Sequence, residues 1–249
     1  MPAPTSPVLG PAPIRQSVWS QLPCRIPGIL RSVQSDRPPG RVLILNGGSS
    51  AGKTTLGRKL QSMLTGPWLL LGIDLFLWML PAEMVSSPEG ISVHEGVITR
   101  GSRFVDLYSA FQEAVATLAR NGVDLILDEV TLESAADQAR WDAALQGLDV
   151  LWVGVRCAPE IAASREVKRG DRCWGTARQQ ATSVHEGMEY DVEVDSGVLD
   201  LQEATNLIVD AIVHRWSIQI QGASDATPTL PPLSAWPTHE GIRAAPWET

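Results

Sequence analysis

Three cysteines in 249 residues, Cys24, Cys157 and Cys173, are too few and wrongly spaced for the frameworks that cysteine usually builds. An odd number does not make a paired disulfide scaffold, and with no C-x-x-C step there is no zinc site. A reducing, cytoplasmic setting is expected. Basic charge is short as well: 20 Lys and Arg against 28 Asp and Glu give a formal net charge of −8. With no cluster of cations to neutralise a phosphodiester backbone, nucleic acid is not an expected partner. The opening MPAPTSPVLGPAPIRQ has prolines where an export signal needs a charged and then an apolar region. The most apolar run, WLLLGIDLFLWML from Trp68 to Leu80, is shorter than the ~20 residues that span a bilayer and holds Asp74 at its middle. No membrane partner is expected, and the run belongs inside a fold. His94, His185 and His214 follow no nucleophile or metal-ligand spacing, and no internal repeat is present.

What the chain does have is an ordinary globular balance, 44% hydrophobic and 19% charged, enough for one generous domain. Residues 1–39 and 218–249 are rich in Pro, Ser and Thr or Gln without a periodic apolar face, and are expected to be flexible tails around a domain spanning 40–217. Inside that domain, RVLILN, WLLLGID, VDLILDEV, DVLWVGVR and YDVEVD read as strands, four of them apolar enough for a parallel sheet. Helices separate them, which is an α/β order. Phe104, Leu107, Tyr108, Phe111, Val115 and Leu118 recur at helical spacing up to Asn121-Gly122; Glu133 to Gln146 ends at Gly147 in the same way. Asp200 with Glu203 makes a capping-box start for a helix to about Trp216. The stretch from Ile91 to Thr99 reads as a small hairpin.

Gly47-Gly48-Ser49-Ser50-Ala51-Gly52-Lys53-Thr54 matches G-x-x-x-x-G-K-[ST], after a strand and before the helical TLGRKLQSML. The spacing suits its chemistry. Backbone amides of the loop and helix start surround a β-phosphate, Lys53 reaches the β/γ oxygens, and the Thr54 hydroxyl ligates Mg²⁺. Asp74, at the end of its apolar run, is a helix N-cap, a buried partner or a catalytic group. In open α/β sheets ligands gather at the strand ends, where a carboxylate can take the proton of an acceptor hydroxyl. LILDE has the form of an apolar strand ending in acid, so Asp128 or Glu129 can hold Mg²⁺, unless this is a solvated strand end; Asp128 is paired with Thr54 as the expected metal set. SREVKRGDR concentrates Arg165, Lys168, Arg169 and Arg172 and breaks at Gly170; it reads as a basic lid over a triphosphate or as a charged helix face.

Taken together, ILNGGSSAGK, WLLLGID ending in Asp74, LDVLWVGVRC, RGDR and VHEGMEYDVEVD resemble, in the same order, the chloramphenicol phosphotransferase family. The resemblance covers roughly Arg41 to Trp216. It implies a P-loop nucleotide-kinase-like fold with a five-stranded parallel sheet flanked by helices and a mobile, arginine-containing lid. It also implies ATP-dependent phosphorylation of a hydroxyl on the antibiotic, with Asp74 as base, Lys53 and Thr54 serving ATP and Mg²⁺, and Arg169 and Arg172 in the lid. The acceptor pocket is expected from Leu75 to Pro88 and the hairpin, with Leu75, Phe76, Leu80 and Met84 as substrate residues; only part of the family pattern is kept there.

The acceptor, a hydroxylated small molecule, is therefore expected to be chloramphenicol. A kinase of another metabolite or a nucleotide-sugar shares the same donor site. Apolar Leu75, Phe76, Trp78, Leu80 and Met84 favour an aromatic acceptor if they are not simply core. A nucleotide switch that does not transfer is a third reading, against which stands the lack of an N-K-x-D segment. The sequence admits a homo-oligomer without specifying one.

Overall fold

The computed structural model describes residues 37–94, 97–169 and 175–221; the stretches read as tails, apart from residues 37–39 and 218–221, lie outside them. Strands β1 (Arg41–Asn46), β2 (Leu69–Gly72), β5 (Leu125–Glu129), β6 (Asp149–Arg156) and β7 (Val192–Asp195) form one parallel sheet in the order β2-β5-β1-β6-β7. Strands β3 (Ile91–His94) and β4 (Val97–Arg100) form the expected hairpin. Among the described residues the sheet and hairpin are joined by helices α1 (Lys53–Met63), α2 (Ile73–Met79), α3 (Ser102–Arg120), α4 (Ala135–Ala144), α5 (Pro159–Arg169), α6 (Thr176–Ser183) and α7 (Leu201–Trp216), with a short 3-10 turn at Ala82–Met84.

Both faces of the sheet are covered, which is why its central strands are continuously apolar rather than alternating. Along β1, Leu43 and Leu45 point into a core shared with Leu56 and Leu60 of α1 and Ile208 and Ile212 of α7. Val42 and Ile44 point the other way, into a core of Phe76, Phe104, Tyr108 and Trp141 from α2, α3 and α4. The period of two along a strand thus divides the chain into two cores.

Local signals in the sequence act as expected at several ends. Asp200 accepts from the Glu203 amide at 2.8 Å while Glu203 accepts from the Asp200 amide at 2.9 Å, a complete capping box. Gly122 and Gly147 stop α3 and the turn after α4 at φ +83° and +82°. The run from Trp68 divides differently from its expected form. The strand ends at Gly72, and Asp74 lies in the first turn of α2 rather than at a strand end. Phe76 and Leu80, four residues apart, are buried on one side of that helix and its C-cap, so the helical period prevails over the apolar continuity of the run.

Candidate active site

The turn from β1 into α1 is built by backbone first. Ser50 has φ +60° and Gly52 φ +92°, which curls the loop and starts α1 with Gly52 at its N-cap. No side chain caps that helix and its first turn holds no acid. Its leading amides and the positive end of its dipole are therefore left for an anion. The Ser50 hydroxyl, buried and without a hydrogen-bond partner, faces the same cleft. Lys53 is 6% exposed; its ammonium donates to the Gly48 carbonyl at 3.0 Å and lies 3.5 Å from Asp128. A buried ammonium held between a carbonyl and a carboxylate is poised over the loop rather than dissolved in solvent.

Around this cleft the fold gathers residues from three strand ends. Its lining includes Ser50, Lys53, Thr54, Asp74, Asp128 and Val130. The Thr54 hydroxyl donates to Asp128 at 2.5 Å. Asp128 and Glu129, adjacent in sequence, go to opposite sides because strand side chains alternate. Glu129 is buried against α3, where the Tyr108 hydroxyl donates to it, and its other oxygen has no partner. Burial pushes the Glu129 carboxyl up to about 8, with the Asp128 charge adding to the rise and the Tyr108 bond opposing it. Glu129 is thus biased toward its neutral form and stays out of the cleft, which Asp128 lines.

Of the expected site residues, the structure brings together the phosphate loop Gly47 to Thr54, Asp74 and Asp128. Asp74 is exposed at the cleft. Leu75 is exposed, Met84 half-buried, and Phe76 and Leu80 belong to the core. Arg169 ends α5; Arg172 lies outside the described residues, as does the lid expected around it. Arg165, from the same basic stretch, turns inward, donating to Ser196 Oγ at 3.0 Å and to the Ser196 carbonyl at 2.6 Å. Ser196 in turn donates to the Ala51 carbonyl at 2.6 Å. Arg165 thereby braces the phosphate loop.

Other braces have no short-range signature. Gln180 of α6 accepts from the Ser49 amide at 2.9 Å, and a Cβ on Gly48 would lie 3.0 Å from the Gln180 backbone. Asn46 accepts from the Thr131 amide at 3.0 Å and donates to the Val184 carbonyl at 2.9 Å and to the Tyr190 hydroxyl at 2.7 Å. Gly154 of β6 leaves room for that ring: an added Cβ would sit 2.8 Å from it. Tyr190 meets His185 Nδ1 at 2.6 Å. The VHEGMEYD stretch is thus scaffolding for the loop, carried by a histidine to which spacing gave no role.

His185 supplies a pH prediction. Burial, with the Arg156 charge adding, lowers it from 6.5 to about 4. The unfolded chain takes up this proton near 6.5 and the folded chain only near 4, so this contribution to stability is complete above pH 6.5 and lost as pH falls between the two values. Thermal unfolding should show a falling midpoint across that window. His185→Gln should flatten that dependence; an unchanged slope would locate the acid sensitivity elsewhere.

A parallel five-stranded sheet with a phosphate loop after its first strand and an acid-ended strand beside it is the fold of P-loop kinases. The sequence model of the family described as "Chloramphenicol phosphotransferase-like protein" matches residues 40–213, and the chain belongs to that family. Two relatives from Mycobacterium tuberculosis, one in strain CDC 1551 and one in strain H37Rv, are each named "Putative O-phosphotransferase". Each is 33% identical over 186 residues, 67% of this chain and 79% of the relative. Among solved structures, the tunicamycin resistance protein of Deinococcus radiodurans aligns with a TM-score of 0.52 at 15% identity, over 74% of this chain and 99% of that one, which is a likeness of fold. Among the described residues, no helix is long and apolar enough to cross a membrane.

Proposed function

We propose that this protein transfers the γ-phosphoryl group of ATP to a hydroxyl of a small molecule, with chloramphenicol as the leading acceptor. The observation that carries the reading is the cleft itself, which Asp74 lines together with Lys53, Thr54 and Asp128 at the uncapped start of α1. A nucleotide-binding switch needs the loop; it has no use for a second carboxylate on the acceptor side. The family and the named activity of the mycobacterial relatives support the same reaction.

In this mechanism the loop amides and Lys53 bind the β- and γ-phosphates and stabilise the charge that gathers on the transferring group. Thr54 and Asp128 are a hard oxygen pair suited to Mg²⁺, which keeps most of its own waters and so needs few protein ligands. Bound there, the ion would neutralise phosphate charge. Asp74 accepts the proton of the acceptor hydroxyl as its oxygen bonds to the γ-phosphorus and the bond to the bridging oxygen of ADP breaks. The Arg169 and Arg172 stretch is proposed as the cationic cover. The flanks 1–39 and 218–249 are proposed as tails outside the catalytic domain.

The test is direct: incubate the purified chain with ATP and Mg²⁺ against chloramphenicol and other hydroxylated antibiotics and metabolites, and read product mass. One added phosphoryl group on chloramphenicol, absent when its primary hydroxyl is removed, is expected. Transfer only to another acceptor would make the protein a metabolite kinase, and no transfer to any would remove the enzyme reading.

A further inference from the structure

One peptide unit of the phosphate loop is held at both of its ends. The Ser49 amide donates to Gln180 Oε1 at 2.9 Å, and the carbonyl of the same unit, that of Gly48, accepts from the Lys53 ammonium at 3.0 Å. That carbonyl also accepts from the Ala51 amide, a longer bond of 3.3 Å. A trans peptide is planar, so its N–H and C=O point in opposite directions and turn together. Fixing the Ser49 N–H therefore fixes the direction of the Gly48 carbonyl and, through it, the place of the Lys53 ammonium. A unit bonded at both ends is also polarised along its length, which strengthens each bond. Rotation of the unit takes place partly about Gly48, which has no Cβ to resist it. Gln180 supplies the restraint that the glycine lacks.

Gln180 is itself seated by contacts at both ends of α6. It is buried, and its backbone lies so near the loop that a Cβ on Gly48 would come 3.0 Å from the Gln180 carbonyl carbon. The start of α6 is held by Glu166 of α5, also buried. The Glu166 carboxylate accepts from the Gly175 amide at 2.8 Å, the Thr176 hydroxyl at 2.7 Å and the Ala177 amide at 3.0 Å. The N-cap residue of α6 is Gly175, which has no side chain to cap it, so a carboxylate from another helix satisfies the leading amides and favours the dipole. Those bonds in turn allow the charge of Glu166 to be buried. The path runs from Glu166 along one short helix to Gln180, and then across a single peptide to Lys53.

We propose that Gln180 is a positioning residue for phosphoryl transfer, holding the Gly48–Ser49 peptide so that its carbonyl presents the Lys53 ammonium, and that Glu166 acts through Gln180 by seating α6. Neither residue lines the cleft, and neither takes part in the chemical step. The inference rests on the phosphotransferase reading for its effect on turnover, whereas its effect on Lys53 is a property of the chain alone.

Two measurements test this on the full chain. In the first, the Lys53 side chain is followed by NMR at its Cε and Nζ, assigned through Lys53→Ala, with no nucleotide added. Gln180→Met removes the acceptor at similar length, and Gln180→Glu keeps one. Gln180→Met should shift the Lys53 signal, and Gln180→Glu should leave it near its wild-type place. Glu166→Gln, whose described partners all lie at the start of α6, should shift the signal in the direction of Gln180→Met and by less. A signal unmoved by Gln180→Met, or moved equally by Gln180→Glu, overturns the proposal. If Gln180→Met does not fold, Glu166→Gln decides, and an unmoved signal there overturns it. In the second measurement, kcat for chloramphenicol phosphorylation and the Kd for ATP are compared. Gln180→Met should lower kcat about tenfold, the worth of one hydrogen bond, with Kd within about twofold, because Lys53 acts most on charge that develops during transfer. Gln180→Glu should keep kcat near wild type. A lower unfolding temperature in Gln180→Met at unchanged kcat would make Gln180 structural and overturn the proposal. If Gln180→Met moves Lys53 but the wild-type chain leaves chloramphenicol unphosphorylated, the positioning stands and the acceptor reading falls. If chloramphenicol is phosphorylated with a kcat indifferent to Gln180→Met, the acceptor reading stands and the positioning falls.

Discussion

Lys53→Ala is expected to abolish nearly all phosphoryl transfer, by about 10³-fold or more in kcat, while leaving the fold intact. The ammonium lies over the loop, bonded to the Gly48 carbonyl and 3.5 Å from Asp128, so it meets phosphate oxygens without first being gathered from solvent. That preorganisation makes it most valuable when negative charge moves onto the transferring group, in the transition state more than in the bound ground state. Nucleotide affinity should fall less than kcat. Stability should fall modestly, because Asp128 loses a counter-charge yet keeps the Thr54 hydroxyl at 2.5 Å. Turnover within tenfold of wild type, measured as phosphorylated product by mass, would sink the phosphate-loop assignment. Loss of turnover together with a collapse of the unfolding transition would show only that the ammonium is structural.

The donor half of this site is legible in the sequence because it is local. Eight consecutive residues make the loop, and the strand before it and helix after it announce themselves by period. The neighbouring strands are legible for a related reason: burial on both faces leaves RVLILN and LILDE no polar alternation to confuse the reading. What escapes is whatever depends on contacts between distant segments. Gln180 is 131 residues from the Ser49 amide it holds, and Tyr190 is 144 from Asn46. No spacing rule reaches across such gaps. The choice of Asp128 over Glu129 needs more than the motif. Alternation guarantees that only one of two adjacent acids faces the cleft, but which one depends on the register of β5 against β1, where Asp128 lies beside Leu45 and Glu129 beside Asn46. The β2 to α2 boundary is a third case. Apolar continuity from Trp68 to Leu80 conceals a change of period, and the break comes at Gly72, whose backbone passes so near Asp128 that a Cβ would lie 2.1 Å from the Asp128 carbonyl oxygen.

That boundary places Asp74 where its role can be separated by a single substitution. In the first turn of α2, a carboxylate favours the helix dipole whether or not it does chemistry. Asn keeps the size and hydrogen-bonding reach of Asp at such a position, so Asp74→Asn should cost the fold little, on the order of a few tenths of a kcal/mol from the lost charge. Its amide has no basic site to take up the proton of an alcohol. If Asp74 is the general base, transfer should fall by roughly 10²–10⁴-fold in kcat, with nucleotide affinity unchanged because the donor is held by the loop on the other side of the cleft. A helix-start role predicts the reverse pattern, full turnover with at most a small drop in unfolding temperature. Measuring kcat, nucleotide affinity and thermal stability on this variant separates the two. A deep loss of kcat with the other two held assigns the proton to Asp74. Unchanged kcat removes Asp74 from the chemistry and leaves the acceptor hydroxyl to lose its proton to the transferring phosphoryl group itself.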